Sequence, residues 1–255
     1  MISSRQNAAV REMRELLREK RARDEKGLLA AEGDHLCAEL AKSGFAITSA
    51  LITERAAQRY PETARALMAA CPAAQVIAEE LSAYISDTKA PQGVFAAAEK
   101  PAPAEGFGAA RRLVILDGVQ DPGNVGTVIR TAEALGIDGA LLSRECADVW
   151  SPKAMRASMG SVFRLRCITG DIPQMIKELK AQGFGVYGAM LDESAQRLGE
   201  TAFPEKAAVV IGNEGAGVSA GVKAVCTGAV YIPISGAESL NAAAAAAILL
   251  WELSR

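Results

Sequence analysis

The chain has 255 residues, half of them hydrophobic but only 5% aromatic, and a formal net charge of −2. That is long enough for one large domain or two ordinary ones around a sizeable aliphatic core. The five scattered cysteines, with no Cys-x-x-Cys, exclude a disulfide frame and a zinc set. The longest apolar run, 242–251, falls well short of the roughly 20 residues that span a bilayer, and the first residues lack a signal-peptide pattern. A soluble cytoplasmic protein is expected, without membrane or metal.

Charge is uneven. Residues 1–30 carry eight basic and five acidic side chains, a local +3 that leaves −5 on the rest. A solvated helix with i,i+4 ion pairs and a polyanion-contacting helix both fit that pattern. Ser3 or Ser4 can cap this helix, with Val10, Met13, Leu16 and Leu17 on one face. Leu28–Ala31 suits a strand and 34–43 a helix. Strand-like runs follow at 50–53, 75–78 and 94–98, with a helix over 62–70 between them. Such alternation predicts a compact α/β sandwich. The stretch 99–109, rich in Pro and Gly, is the best linker candidate.

Beyond it, Leu113–Leu116 suits a fully buried parallel strand, followed by a helix over 124–135. A strand at 140–142, a Ser-Pro helix at 151–159, a strand at 162–165 and a helix at 172–182 come next. Strands at 185–190, 207–211 and 229–232 precede a last, alanine-rich helix over 239–253.

Three segments set glycines beside an Asn near the ends of these strands: Leu116–Arg130, Val210–Gly217 and Ile232–Asn241. In an open α/β sheet, ligands bind at the carboxyl ends of strands. In the first segment Asn124 suits a helix N-cap, and Arg130 lies under two turns beyond it. An Arg there clamps a phosphate or carboxylate, or pairs with a neighbour such as Glu133. The segment lacks the Lys of a phosphate-binding loop. Gly212-Asn-Glu-Gly-Ala-Gly217 has the glycine order of a dinucleotide fingerprint reversed, which argues against a nucleotide-cofactor oxidoreductase. In the third segment Ser239 or Asn241 can cap the final helix. His35, the only histidine, stands in the other half of the chain, and no Ser-His-Asp set or Cys nucleophile is present. The chemistry must run without histidine.

Taken together, Asn124-x-Gly-x-x-x-Arg130, Gly212-Asn-Glu-Gly-x-Gly217 and Ile232-Pro-x-x-Gly-x-x-Ser-Leu-Asn241 resemble the SpoU/TrmH-type RNA 2′-O-ribose methyltransferases of the SPOUT superfamily. The N-terminal half, through Ile2–Asn7, Leu28–Gly33 and Ser86–Val94, is similar to that family's L30e-like domain. The resemblance implies an α/β fold with an L30e-like RNA substrate-binding domain over 1–98, a linker over 99–109 and a methyltransferase domain over 110–255. The latter would hold a parallel sheet with helices on both faces and a C-terminal trefoil knot.

It further implies S-adenosylmethionine as cofactor, held by Gly212, Asn213, Glu214, Gly217, Ile232, Ser239 and Leu240. Arg130 and Asn124 become catalytic candidates, with Glu214, Ser239 and Asn241 shaping the site. Expected partners are RNA, ribosomal in preference to transfer RNA, and a second copy of the chain. A transfer-RNA enzyme and a non-catalytic RNA-binding module of the same fold are the alternatives. One departure stands out: Ala243 replaces a serine common in the family after Ser-Leu-Asn. Altered packing or affinity is expected from it, with activity kept.

Overall fold

The computed structural model describes residues 1–102, 106–192, 194–236 and 239–255. Residues 103–105 of the expected linker and 237–238 of the third segment lie outside the described residues. Two compact units emerge: Met1–Ala102 grouped with Trp150–Phe163, and the remainder of the chain.

The first unit opens with α1 (Ala8–Arg18) and α2 (Lys20–Lys26), then β1 (Leu28–Glu32), α3 (Asp34–Lys42) and β2 (Ile47–Thr53). It continues through α4 (Glu54–Arg59), α5 (Pro61–Ala70), β3 (Gln75–Ile77), α6 (Glu79–Ile85) and β4 (Val94–Glu99). Its sheet has the order β1-β4-β2-β3, with β4 antiparallel to both neighbours and β3 parallel to β2. Val10, Met13, Leu16 and Leu17 recur at helical spacing, so α1 lays one apolar face on this sheet, against Leu51, Ile77, Phe95 and the α6 residues Leu81 and Ile85. Each such side chain contributes about 1.5–3 kcal/mol on full burial. The N-cap of α1 is Asn7, whose Oδ1 accepts from Ala9 N at 3.0 Å. Neither Ser3 nor Ser4 fills that role; the Ser4 hydroxyl instead takes the Gln6 N–H, outside the helix.

The second unit contains β5 (Arg112–Asp117), α7 (Pro122–Ala134) and β6 (Gly139–Ser143). After α8 (Pro152–Ser158) come β7 (Cys167–Gly170), α9 (Ile172–Ala181), β8 (Gly185–Ala189), β9 (Gln196–Arg197), β10 (Ala207–Gly212), α10 (Ala220–Lys223), β11 (Gly228–Tyr231) and α11 (Ala242–Ser254). The sheet order is β7-β6-β5-β10-β8-β11-β9, every pair parallel. Alternate residues point to opposite faces. Leu113, Ile115, Leu141, Val186, Ala208 and Val210 pack with Ile172 and Ile176 of α9 and Val222 of α10. Buried Val114, Leu116, Val209 and Ile211 fall on the other face, where α11 packs on α7, β5 and β10.

Helix α8 begins as expected, with Ser151 capping Ala154 N. It ends where Met159 and Gly160 both adopt positive φ, 51° and 84°. That left-handed pair turns the chain, and the apolar run expected as a strand at 162–165 becomes a 3-10 turn, Ser161–Phe163. Phe163 packs its ring on Phe45 of the first unit at 5.8 Å. The place beside β6 is filled by Cys167–Gly170 instead.

Candidate active site

The carboxyl ends of β5, β8, β10 and β11 and the start of α11 gather the three glycine-bearing segments. Each is anchored by an ordinary local rule. Helix α7 starts at Pro122, with Asp121 as N-cap, its Oδ1 accepting from Asn124 N at 3.1 Å. Asn124 therefore does not cap the helix. Because Pro122 already occupies the first helical position, Asn124 sits inside the first turn with its amide free to reach outward.

What it reaches are the other two segments. Asn124 Nδ2 donates to Glu214 Oε1 at 2.9 Å, and Asn124 Oδ1 accepts from Asn241 Nδ2 at 3.1 Å. Asn241 is the N-cap of α11, its Oδ1 accepting from Ala243 N at 2.9 Å. One hydrogen-bonded line, Glu214–Asn124–Asn241, thus ties all three segments together. Glu214 also accepts from the N–H groups of Gln120 and Asp121 at 3.3 and 3.4 Å. Partial burial pushes its carboxyl up, but the Asn124 amide and the surrounding N–H groups outweigh this and hold it below the usual glutamate range. Glu214 is an anion at neutral pH, suited to accepting hydrogen bonds.

Asn213 has a different part. Its Oδ1 takes the N–H groups of Gly215 and Ala216, both at 2.9 Å, and its Nδ2 donates to Gly118 O at 2.8 Å. The side chain closes the loop after β10 and bolts it to the end of β5. Gly212 must be bare here, since a Cβ would collide with the backbone of Gly217 and Val218.

This loop forms one wall of a cavity of about 420 Å³, within the rough 300–1,000 Å³ range of small-molecule sites. Gly212, Asn213, Glu214, Gly217, Ile232, Ser239 and Leu240 all line it. Sequence reasoning missed Met190 and Leu191, which close the cavity from the end of β8; neither is a glycine, asparagine or other turn residue that would mark it in the sequence. Among the described lining residues Glu214 is the sole charged one. A neutral or cationic ligand with an apolar face suits such a wall.

Arg130 stands apart. It is exposed on α7, and among the described residues no hydrogen bond or ion pair engages it. Glu133, the alternative partner, is taken by Arg164 at 2.7 Å. A guanidinium left open to solvent can take a phosphate. Burial pushes the thiols of Cys146 and Cys226 up, the latter to about 11, so neither is a ready nucleophile. His35 is exposed in the first unit, its Nε2 3.2 Å from Met159 O. Among the described residues no cluster could hold a metal ion, and no helix is long and apolar enough to cross a membrane.

Comparison with known proteins places this geometry. The model of the SpoU rRNA methylase family matches residues 111–251, and that of the MRM3-like substrate binding domain matches residues 7–96. The 23S rRNA (guanosine(2553)-2′-O)-methyltransferase RlmP of Bacillus subtilis is 34% identical over 253 residues, 99% of this chain and 98% of its own. An AdoMet-bound rRNA methyltransferase from Sinorhizobium meliloti superposes with a TM-score of 0.86 at 29% identity, covering 99% of this chain and 96% of that one. The SpoU methyltransferase AviRb from Streptomyces viridochromogenes, in complex with AdoMet, gives 0.84 at 27% identity, covering 98% and 97%. The chain belongs to the SpoU rRNA methylase family.

Proposed function

We propose that the protein transfers a methyl group from S-adenosylmethionine to a ribose 2′-hydroxyl of 23S ribosomal RNA. The observation that carries this is the Glu214–Asn124–Asn241 line at the rim of a bare-backbone cavity, with Arg130 exposed on the helix that carries Asn124. Relatives named as 23S rRNA 2′-O-methyltransferase and AdoMet-bound rRNA methyltransferase support it.

The cavity fits the cofactor. Gly212 lets the loop after β10 fold tightly back on Gly217 and Val218 and so shapes the wall, Ile232 and Leu240 supply apolar walls, and the Glu214 anion suits a cation. When bound, S-adenosylmethionine supplies an already activated sulfonium methyl. The residues of the chain then have a positioning task. Arg130 holds an RNA phosphate so that the neighbouring 2′-hydroxyl lies in line for transfer, because a planar guanidinium with five N–H donors and no acceptor is a clamp sooner than a base. Asn124 fixes the rim against which the ribose rests. Glu214 stays ionised and keeps Asn124 oriented.

The first unit supplies the RNA-facing charge. Arg14 and Arg18 donate to the carbonyls of Tyr84 and Ser86 at 3.2 and 3.0 Å, and Arg5 and Arg14 both lie over the Tyr84 ring, at 5.0 and 4.7 Å. Arg23, Arg21 and Lys26 are otherwise engaged, with Leu16 O, Glu25 and Glu12. The basic edge of α1 thus concentrates beside α6, where it suits a polyanion.

A second copy of the chain completes the proposal. On α11, Ala244, Ile248 and Trp251 recur at i, i+4 and i+7 and are exposed, Trp251 by 58%. An apolar stripe on a terminal helix next to the site suits a homodimer interface. A cytoplasmic setting and the trefoil knot belong to the same reading, the knot being supported by alignment with the AdoMet-bound neighbours over 99% and 98% of the chain.

Isothermal titration tests the cofactor half: S-adenosylmethionine binds in the micromolar range while NAD(P) does not. Mapping 2′-O-methyl positions in ribosomal RNA from a deletion strain tests the substrate half. One position should lose its methyl group and regain it on complementation; an unchanged 23S map would sink the reading.

A further inference from the structure

On the α9 side of the same sheet edge lies a second cavity, of about 450 Å³, that the methyl-transfer reading leaves unused. It opens where the sheet changes direction. Strand β5 leads outward through α7 to β6, while the adjacent β10 leads the opposite way through α10 to β11. Such switch points are where open α/β sheets take ligands.

Its depth is formed by Asp117 and Ser143, 8% and 4% exposed. Asp117 Oδ2 accepts from Ser219 N at 2.7 Å. Among the described residues Oδ1 has no partner, and no cation pairs with this carboxylate. This oxygen is not sealed in, since among the described residues Arg156 Nη1 is the sole fully buried side-chain polar atom without a partner, so Oδ1 opens to the cavity and can take a donor from a ligand. The Ser143 hydroxyl accepts from Gly118 N at 3.0 Å and faces only the weak Cys146 thiol at 3.6 Å, so its proton is available to the cavity. At the mouth stands Arg144, exposed and without an ion-pair partner among the described residues. The other acid in the wall, Asp171, is engaged as the cap of α9, accepting from Gln174 N at 3.0 Å; Glu145 is exposed at the rim.

Acceptor at the bottom, hydroxyl donor beside it, guanidinium at the opening: this order selects a ligand with N–H donors at one end and a phosphate at the other. We infer that this cavity binds a guanosine 5′-phosphate unit, the base edge with N1–H and the 2-amino group on Asp117, O6 near Ser143, and the phosphate on Arg144. Among the bases, guanine alone sets two N–H donors and an oxygen acceptor side by side on one edge. The unit has two sources, a nucleotide of the RNA itself or a free nucleotide, and the first rests on the methyl-transfer reading. Asn213 and Gly217 line both cavities, so only the strap after β10 separates this ligand from the first site.

The test titrates GMP, guanosine, IMP and UMP into the full-length protein saturated with S-adenosylmethionine, as wild type, Asp117→Asn and Arg144→Ala. Asn at 117 can still accept from Ser219 N, so the fold is kept, but it presents no second carboxylate oxygen. GMP should bind, with IMP about tenfold weaker for want of the 2-amino group, and Asp117→Asn should weaken GMP by at least about tenfold. Arg144→Ala should weaken GMP about three- to tenfold while leaving guanosine unchanged. If the source is RNA, Arg144→Ala raises KM for the ribosomal RNA substrate and GMP competes with it; if free nucleotide, KM does not move. Absence of GMP binding, GMP binding indifferent to Asp117→Asn, or Mg²⁺ taking the site through Asp117 in place of GMP overturns the proposal. The GMP titration reads this cavity even if no RNA is methylated, so failure of one reading leaves the other standing.

Discussion

Asn124 Nδ2 and Glu214 Oε1 meet at 2.9 Å although 90 residues separate them in the chain. The pair joins the first turn of α7 to the loop after β10, and its geometry depends on a charged acceptor, whose hydrogen bonds are worth about 1.5–3 kcal/mol. Asn124→Ala should therefore lower kcat for RNA methylation about 10- to 100-fold while S-adenosylmethionine affinity stays within about twofold. Asn124→Asp should be worse, since it sets two carboxylates against each other. Equal activity of the Ala variant and wild type would remove Asn124 from the site.

Arg130 differs in having no partner to lose within the described residues. Arg130→Ala should leave thermal stability and cofactor affinity unchanged and reduce methyl transfer at least about 100-fold, measured with labelled cofactor on ribosomal RNA. Arg130→Lys should restore only part of the rate, because a point charge cannot make the bidentate phosphate contact. Wild-type turnover in the Ala variant rules out the clamp.

How far these residues were legible depends on how local their causes are. The buried strands β5 and β10 were visible as continuous apolar runs, as parallel strands covered on both faces must be, and the glycines and asparagines after them marked the loops. Helix α2 was not visible, because Lys20–Lys26 has no apolar stripe; it is held by Arg23, only 3% exposed and donating to Leu16 O at 2.8 Å. The short helices α4, α6 and α10 likewise rest on tertiary packing. In the site, Asn124 was visible but its bond to Asn241 was not, since that contact spans 117 residues. Met190 and Leu191 carry no turn signature at all. The strand expected at 162–165 failed because two left-handed residues ahead of it redirected the chain.

The Glu214 carboxyl lies below its ordinary value of about 4.3 in the folded protein. A depressed acid contributes stability that is fully present above the unfolded value and is lost as pH falls through the folded one. Melting temperatures of wild type and Glu214→Gln between pH 7 and 3 should differ by a constant amount above about pH 5, then converge below about pH 4. The effect should be small, because the residue is exposed and solvent screens it. A difference that widens on acidification contradicts the assignment.

Gly212 and Gly215 share a loop but make opposite predictions. A Cβ at 212 collides with the Gly217 and Val218 backbone, whereas at 215 it meets only Asn213 Oδ1 at 3.7 Å, an ordinary contact. Gly212→Ala should abolish detectable cofactor binding and cost about 1–3 kcal/mol of stability. Gly215→Ala should keep both. Because the two variants add the same methyl group, propensity and composition cancel between them, and a shared phenotype would show that loop flexibility, not close approach, sets the requirement.

The exposed stripe of α11 makes the oligomeric state testable without touching the site's polar residues. Trp251, 58% exposed, and Ile248, 41% exposed, lie one turn apart on the face opposite the buried Ala246, Leu249 and Leu250. Buried aromatic anchors at interfaces cost about 2 kcal/mol or more when removed, so Trp251→Glu should turn a dimer into a monomer at micromolar concentration, measured by light scattering after gel filtration. S-adenosylmethionine binding separates two consequences of that change. If each copy holds a complete cavity, the monomer binds cofactor as wild type does; if the second copy orders the rim at Leu240 and Asn241, affinity falls with dissociation. A wild-type mass of one chain would leave the stripe without its partner and overturn the dimer.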